Sequence, residues 1–171
     1  MIDELLQSPL ATTIEYYRRC VDEKTKAFLS KNALGSEAVL RVGFADRSFG
    51  KQFPVSRCEP GRRVRERLKE AGILKPNGRE VFRGHVTVPL TSGQGETTGI
   101  YALRLDRLAG QERIIHTGNG LFNAAALDSF EEVILCDTPL DAWTFFAAGH
   151  ANDFQPAKRG VAIHAANPPA T

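Results

Sequence analysis

Cysteine is scarce in this chain of 171 residues: only Cys20, Cys58 and Cys136 occur, with no CxxC and no obvious pairing. That excludes a zinc ribbon and a disulfide scaffold, and it points to a reducing compartment, the cytoplasm. Long apolar runs are missing as well. No stretch reaches bilayer-spanning length, and the N-terminus lacks the basic-then-apolar layout of a signal peptide, so no membrane partner is expected. Neither a nucleophile elbow, an HExxH nor a phosphate-cradling GxxxxGK[ST] occurs, which removes the best-marked hydrolase, zinc-protease and NTPase signatures. His116 and His164 have no partners at metal-ligand spacing. Gly93-Gln94-Gly95 follows one extended run and leads into another, so it is a hairpin loop. No internal repeat is visible.

What is present can bury a core. Hydrophobic residues make up 42% of the chain, enough for one domain or two small lobes, and the formal net charge of +2 hides an uneven distribution. Ile2 to Leu6 reads as a short helical turn. Pro9 opens a helix in which Leu10, Ile14, Tyr17 and Val21 recur at helical spacing, and the pattern carries on to Leu34. Leu34-Gly35 interrupts, and Ser36 to Phe44 reads as a further short helix. Ala45 to Val55, with Gly50 and Pro54, reads as loop. Arg57 to Lys75 is the most basic segment. Its helix buries Val64 and Leu68 and stops at Gly72, and its cations are read either as phosphate contacts or as a solvated face.

From Glu80 the period changes from helical to two. Phe82 and His85 to Leu90 form a strand, Thr91 to Glu96 a turn, and Thr98 to Leu105 the return strand. Arg113 to His116 reads as a third strand, Thr117 to Gly120 as loop, and Leu121 to Leu127 as a short helix. The chain is organised around Glu131 to His150. There Val133 to Cys136 is predicted as a buried strand ending on Asp137, and Thr138-Pro139-Leu140-Asp141 has the form of a helix start, with Thr at N-cap, Pro at N1 and an acid at N3. An acid at the carboxyl edge of a sheet is where open α/β sheets place their chemistry.

This stretch resembles the first motif of the toprim fold: a hydrophobic strand ending in Glu-Gly, two residues, an Asp, and a helix ending Ala-Gly. Asp137 stands where the family has glutamate, and Thr138 where it has glycine. The segments before it, LSKNALGSEAVLRVGFA, RERLKEAGILKPNGREVFRGHVTVPL, GIYALRL and GLFNAAAL, resemble in order the motifs of bacterial-type DNA primases. The likeness is greatest to the primase-like proteins of mobile elements. It implies an α+β chain: a primase-core N-terminal lobe of helices and a small sheet over 1–127, the first β-α unit of a toprim fold over 128–150, and a tail over 151–171.

The resemblance also implies functional residues. Arg83 matches the arginine of the family's Phe-Arg-Gly, Arg104 that of the return strand, and Arg113 stands near a lysine position; all three would face template or nucleotide phosphate. His85 replaces a second arginine. Asp137 is the catalytic and metal-binding acid, with Asp141 as a second metal ligand. The structural alternatives are a surface strand arginine for Arg83 and a Thr-x-x-Asp capping box for Asp141. Single-stranded DNA and nucleotides are the implied partners, together with a replicative helicase or a protein supplying the rest of the toprim domain. The family's downstream Asp-x-Asp and its zinc module are not found in this sequence. Magnesium or manganese is therefore expected only with the missing toprim half supplied, and no zinc. The implied function is DNA-templated RNA primer synthesis, not carried out by this chain alone. The rival readings are a non-catalytic single-stranded nucleic-acid-binding accessory module of a mobile element, and a truncated product. The toprim unit is expected either to pack on the Glu80–Leu105 strands or to self-associate.

Overall fold

The alternating residues from His85 to Arg104 pair as a hairpin, and the other elements are laid against its two edges and two faces. The computed structural model describes residues 2–31, 42–105, 113–124, 126–129, 135–139 and 141–142, with backbone alone at 126, 129 and 163–166. The first elements are helices α1 (Ile2–Gln7), α2 (Pro9–Arg19) and α3 (Glu23–Lys31), then strand β1 (Gly43–Phe44). A 3-10 turn (Phe49–Lys51) and helix α4 (Glu59–Glu70) follow. Next come β2 (His85–Thr91), β3 (Thr97–Arg104), β4 (Ile114–Gly118) and β5 (Gly120–Phe122). The last are α5 (Ala126–Ser129), β6 (Leu135–Cys136) and β7 (Ile163–Ala166). The sheet order is β4-β3-β2-β5-β7-β6, antiparallel except for the β6–β7 pair, with β1 also paired to β2.

Period two sorts the hairpin's side chains onto two cores. Ile100 and Ala102 join Leu5, Ile14, Tyr17, Val64, Leu68 and Phe82 under α1, α2 and α4. Val86, Val88, Leu90, Tyr101 and Leu103 join Leu29 of α3, Val42 and Ala142 on the opposite face. The strands are buried from both sides, which explains why the run from Val86 to Val88 contains no charge. Helix α4 ends in a Schellman motif: Gly72 at φ 70 donates to the Lys69 carbonyl, and Ile73 to that of Leu68. A side chain at Gly72 would collide with Thr117 of β4, so the glycine serves both the turn and the packing.

One polar pair is sealed inside. The Tyr17 hydroxyl on α2 donates to Glu80 Oε1, and both residues are buried. Burial raises the Glu80 carboxyl above its ordinary value of 4.5, the Tyr17 bond and Arg83 pull it down, and Asp46 pushes it up; the net shift is upward. The pair ties α2 to the turn that precedes β2.

A second constraint is steric. Between β4 and β5 the chain steps from the outer edge of β3 to the outer edge of β2 within Gly118-Asn119-Gly120. A Cβ on Gly99 would lie 2.5 Å from the Thr117 carbonyl oxygen, and one on Gly120 2.5 Å from Thr98 Oγ1. At Gly118, φ is 67, and a Cβ there would run into the Thr98 carbonyl oxygen. Only glycine meets both demands.

Several expectations are corrected. The helical pattern from Pro9 to Leu34 is broken at Cys20–Asp22, because the Asp22 carboxylate accepts from the Thr25 amide (2.8 Å) and hydroxyl (2.7 Å) and starts a new helix. Residues 32–41 lie outside the described set, but Gly43 and Phe44, expected in a helix, are strand, paired with Thr87 and Val86. Gly43 fits there because its missing Cβ would stand 2.5 Å from Tyr17 Cβ. The run from Leu121 to Leu127 is divided into β5 and α5, with Asn123 in the left-handed region (φ 61) between them.

The segment read as a tail contributes β7, which lies between β5 and β6. A four-residue strand among prolines and small residues carries too little pattern to be read from sequence. The hydrogen-bonded row therefore runs across 1–127, 128–150 and 151–171. Leu135, expected buried, is 74% exposed on the last strand of that row. Val133, Ile134 and the helix from Trp143 onward lie outside the described residues. Ala142 is buried in the core beside Val86 and Val88, and Cys136 packs against it, so the start of that unit does rest on the hairpin.

Two outcomes test these constraints. Gly118→Ala should cost about 2 kcal/mol or more of unfolding free energy, from a strained φ plus a backbone clash, read by urea denaturation. Glu80, whose folded value is raised, contributes stability fully present below 4.5 and lost as pH rises through the folded value. Wild type should therefore lose stability relative to Glu80→Gln between that pH and neutrality; parallel pH profiles would count against the buried pair.

Candidate nucleic-acid interface

Phe82-Arg83-Gly84 is a turn that anchors one residue inward and presents the next to solvent. Phe82 is fully buried, Arg83 is exposed, and Gly84 turns the chain at φ 78. Backbone bonds clamp the turn to the loop after β1: Gly84 N–H to the Ala45 carbonyl (2.8 Å) and Ala45 N–H to that of His85 (3.0 Å). His85 is buried, and its Nδ1 lies 3.0 Å from the Phe82 carbonyl and 3.1 Å from that of Arg83. Facing two acceptors, Nδ1 carries the proton. This histidine fixes the turn from inside.

The arginines fall on two neighbourhoods. Arg104, the last residue of β3, stands opposite His85 in register. Its guanidinium reaches to 3.8 Å from where a Gly84 Cβ would be, and that of Arg47 to 4.0 Å from the same point. Arg83 emerges from the adjoining turn, close enough to Glu80 to lower its carboxyl. An open cleft of about 210 Å³ lies here, lined by Lys24, Phe44, Arg47, Gly84 and Leu105, with Asp22 and Asp46.

Arg113 belongs to the second neighbourhood. Its carbonyl accepts from the Arg104 amide at 2.8 Å, so the backbones adjoin, and its guanidinium acts on Tyr101. Burial pushes the Tyr101 phenol up, Asp141 pushes it further, and Arg113 offsets part of this. The Cys136 thiol is raised by burial, then by Asp141 and Asp137. Tyr101 thus stands within the fields of Arg113 and Asp141, while Asp137 and Asp141 flank Cys136.

Asp141 also does what its spacing suggested. The Thr138 hydroxyl donates to Asp141 Oδ2 at 2.7 Å, and the Asp141 amide donates back to Thr138 Oγ1 at 3.1 Å. The Ala142 amide bonds to the Thr138 carbonyl at 3.1 Å, closing the first helical turn. This is a capping box in which the carboxylate closes on the Thr138 hydroxyl rather than on its amide. Asp137 is exposed at the end of β6.

Magnesium needs several hard oxygen ligands. Among the described residues no three His, Cys, Asp or Glu side chains converge, and Asp141 has one oxygen engaged in its cap. The side chains on view do not by themselves make a magnesium site. No helix among the described residues is long and apolar enough to cross a membrane.

Arg47, Glu80 and Tyr101 were missed in the sequence. Asp46-x-Ser48 is a turn signal that would have drawn attention to Arg47. Nothing in the local pattern announces that Tyr101 and Glu80 are buried beside charges.

No protein-family model and no curated protein matches the sequence. Solved structures do match in fold. A DnaG primase catalytic domain bound to single-stranded DNA superposes with a TM-score of 0.71 at 17% identity, over 99% of this chain and 57% of that one. The Escherichia coli primase catalytic core gives 0.64 at 18% identity, over 95% of this chain and 54% of that one. The zinc-binding and RNA polymerase domains of Aquifex aeolicus primase give 0.67 at 15%, over 96% and 42%. The chain thus spans about half the length of these structures. Its α+β fold is that of the primase catalytic core.

Proposed function

We propose that this chain is the template-holding part of a primase-type catalytic core, working in DNA-templated synthesis of RNA primers. Single-stranded DNA lies along the face carrying Arg83 and Arg104, and Arg113 meets template or nucleotide phosphate on the side of Tyr101. What carries the reading is the pairing of two facts. Arginines emerge together at the start of β2 and the end of β3, and the fold around them is shared with a primase domain solved bound to single-stranded DNA. Guanidinium forks match phosphate oxygens bidentately, which suits a backbone track that ignores sequence.

In this reading Asp137 supplies one carboxylate of a magnesium or manganese site, with Asp141 beside it, and other carboxylates must come from the rest of a toprim fold. The metal ions would neutralise charge on the attacking and leaving oxygens of nucleotidyl transfer. The lineage is that of the primase-like proteins of mobile elements, acting in the cytoplasm. A replicative helicase, or a protein carrying the remaining toprim strands, is the partner.

Single-stranded DNA should bind weakly and lose affinity as salt rises, because phosphate contacts release counterions. Arg83→Ala and Arg104→Ala should each weaken it several-fold to tenfold, the order of one charge-assisted hydrogen bond. Salt-independent binding, or none at low ionic strength, measured by fluorescence anisotropy, would sink the template reading.

The 171-residue chain alone should make no primers with magnesium or manganese. Asp137→Glu should not change that, since one methylene does not supply further ligands. Template-dependent ribonucleotide polymerisation by the purified chain, abolished by Asp137→Asn, would show that the carboxylates present suffice.

A further inference from the structure

We infer that Arg47 is a phosphate-binding residue, and that the cleft it lines beside Gly84, near which the Arg104 guanidinium also comes, is the pocket for one phosphate group. The inference rests on the template reading for its setting but on a separate observation for its residue. Arg47 is a non-glycine residue in the left-handed region, at φ 76. Side chains adopt that conformation under strain, and the strain persists only where the surroundings over-determine it.

Here they do. Asp46 Oδ1 accepts from the Ser48 amide at 2.9 Å and from the Ser48 hydroxyl. The Tyr16 hydroxyl of α2 bonds to Ser48 Oγ, and Gln52 Nε2 donates to the Tyr16 oxygen at 3.1 Å. On its other side the loop is clamped by the Gly84–Ala45–His85 backbone bonds. Tyr16 of α2, the two residues that cap the 3-10 turn, Ser48 and Gln52, and Asp46 of the loop itself hold the turn.

The fold itself has no use for the side chain so presented. Arg47 is exposed and forms no ion pair or side-chain hydrogen bond among the described residues. What the turn achieves is placement: the guanidinium is brought near Gly84, which the Arg104 guanidinium also approaches, and Lys24 lines the same cleft. Each guanidinium comes within 4.0 Å of the same point beside Gly84, so one anion there can meet both. Gly84 adds no side chain beside the two guanidiniums, each of which would touch a Cβ placed there. Asp22 and Asp46 also line the cleft, and one oxygen of each is taken up within its own loop, by Thr25 and by Ser48. Two planar forks and an ammonium suit a phosphate, from a nucleic-acid backbone or from a nucleoside triphosphate.

Anisotropy titrations of the full chain with a fluorescein-labelled single-stranded oligonucleotide and with a fluorescent ATP analogue separate these sources. Arg47→Gly is the informative variant, because glycine removes the guanidinium and relieves the φ. It should weaken one of the probes about tenfold, with the thermal midpoint unchanged or raised. If the oligonucleotide is the one affected, its salt slope should fall by about 0.7. Lys26→Ala, whose ammonium is paired with Glu23 at 2.6 Å on the surface, should change neither. Binding of both probes unaltered by Arg47→Gly overturns the inference and leaves the template reading standing. Arg47-dependent binding of the ATP analogue without oligonucleotide binding keeps the inference and removes the template. Wild type that binds neither removes both.

Discussion

The three-residue step from Gly118 to Gly120 is the constraint on which the rest of this architecture depends. Without it the chain leaving β4 would continue outward from the β3 edge. Passing over Thr98 and the Leu90–Thr91 backbone delivers β5 to the far edge of β2. Only from there can β7 and β6 extend the same sheet. The arginine-bearing hairpin and the acid-bearing strand are thus joined by continuous hydrogen bonding rather than by a linker. Three glycines make that possible, and each is there because backbone passes where a side chain would stand.

The join has a consequence for the site. Arg83 and Arg104 lie at the end of the hairpin where β2 begins and β3 finishes. By register, β6 runs parallel to β7, β7 antiparallel to β5, and β5 antiparallel to β2, so Asp137 follows a strand running in the direction of β2. The acid therefore leaves its strand toward the end of the hairpin opposite to Arg104. Arg113 and Asp141 meet within the field of Tyr101, on the face shared by Leu29, Val86 and Ala142. Cations at one end of the sheet and a carboxylate at the other divide this row of strands by charge, with Arg113 adjoining Arg104 at the cationic end.

Much of this was legible in the sequence, for reasons that differ by element. The hairpin shows because Val86, Val88, Leu90 and Ile100, Ala102 alternate cleanly between two buried faces. Helix α4 shows because Val64 and Leu68 stand at helical spacing and Gly72 ends the run. The capping box at Thr138 and Asp141 shows because its hydrogen bonds are local and leave a fixed spacing. The break between α2 and α3 was hidden, since Val21 preserves helical spacing across Asp22 and the cap competes with it silently. Strand β7 was hidden because sheet membership at four residues is decided by neighbours remote in sequence.

The site follows the same division. Arg83 and Arg104 are singled out by motif order, which records positions along the chain. Arg47 was not, because its significance lies in a backbone angle and in a meeting with Gly84 across 37 positions of sequence. Glu80 belongs to the same class: an acid in a polar stretch, it becomes a buried partner of Tyr17 only once α2 is docked. Docking of that helix buries Tyr17 and sets Tyr16 against Ser48, so one pair of adjacent tyrosines fixes both the turn before β2 and the loop after β1. The arginine surface is thus held from beneath by α2. Its geometry is a property of the packed core rather than of the exposed residues that display it.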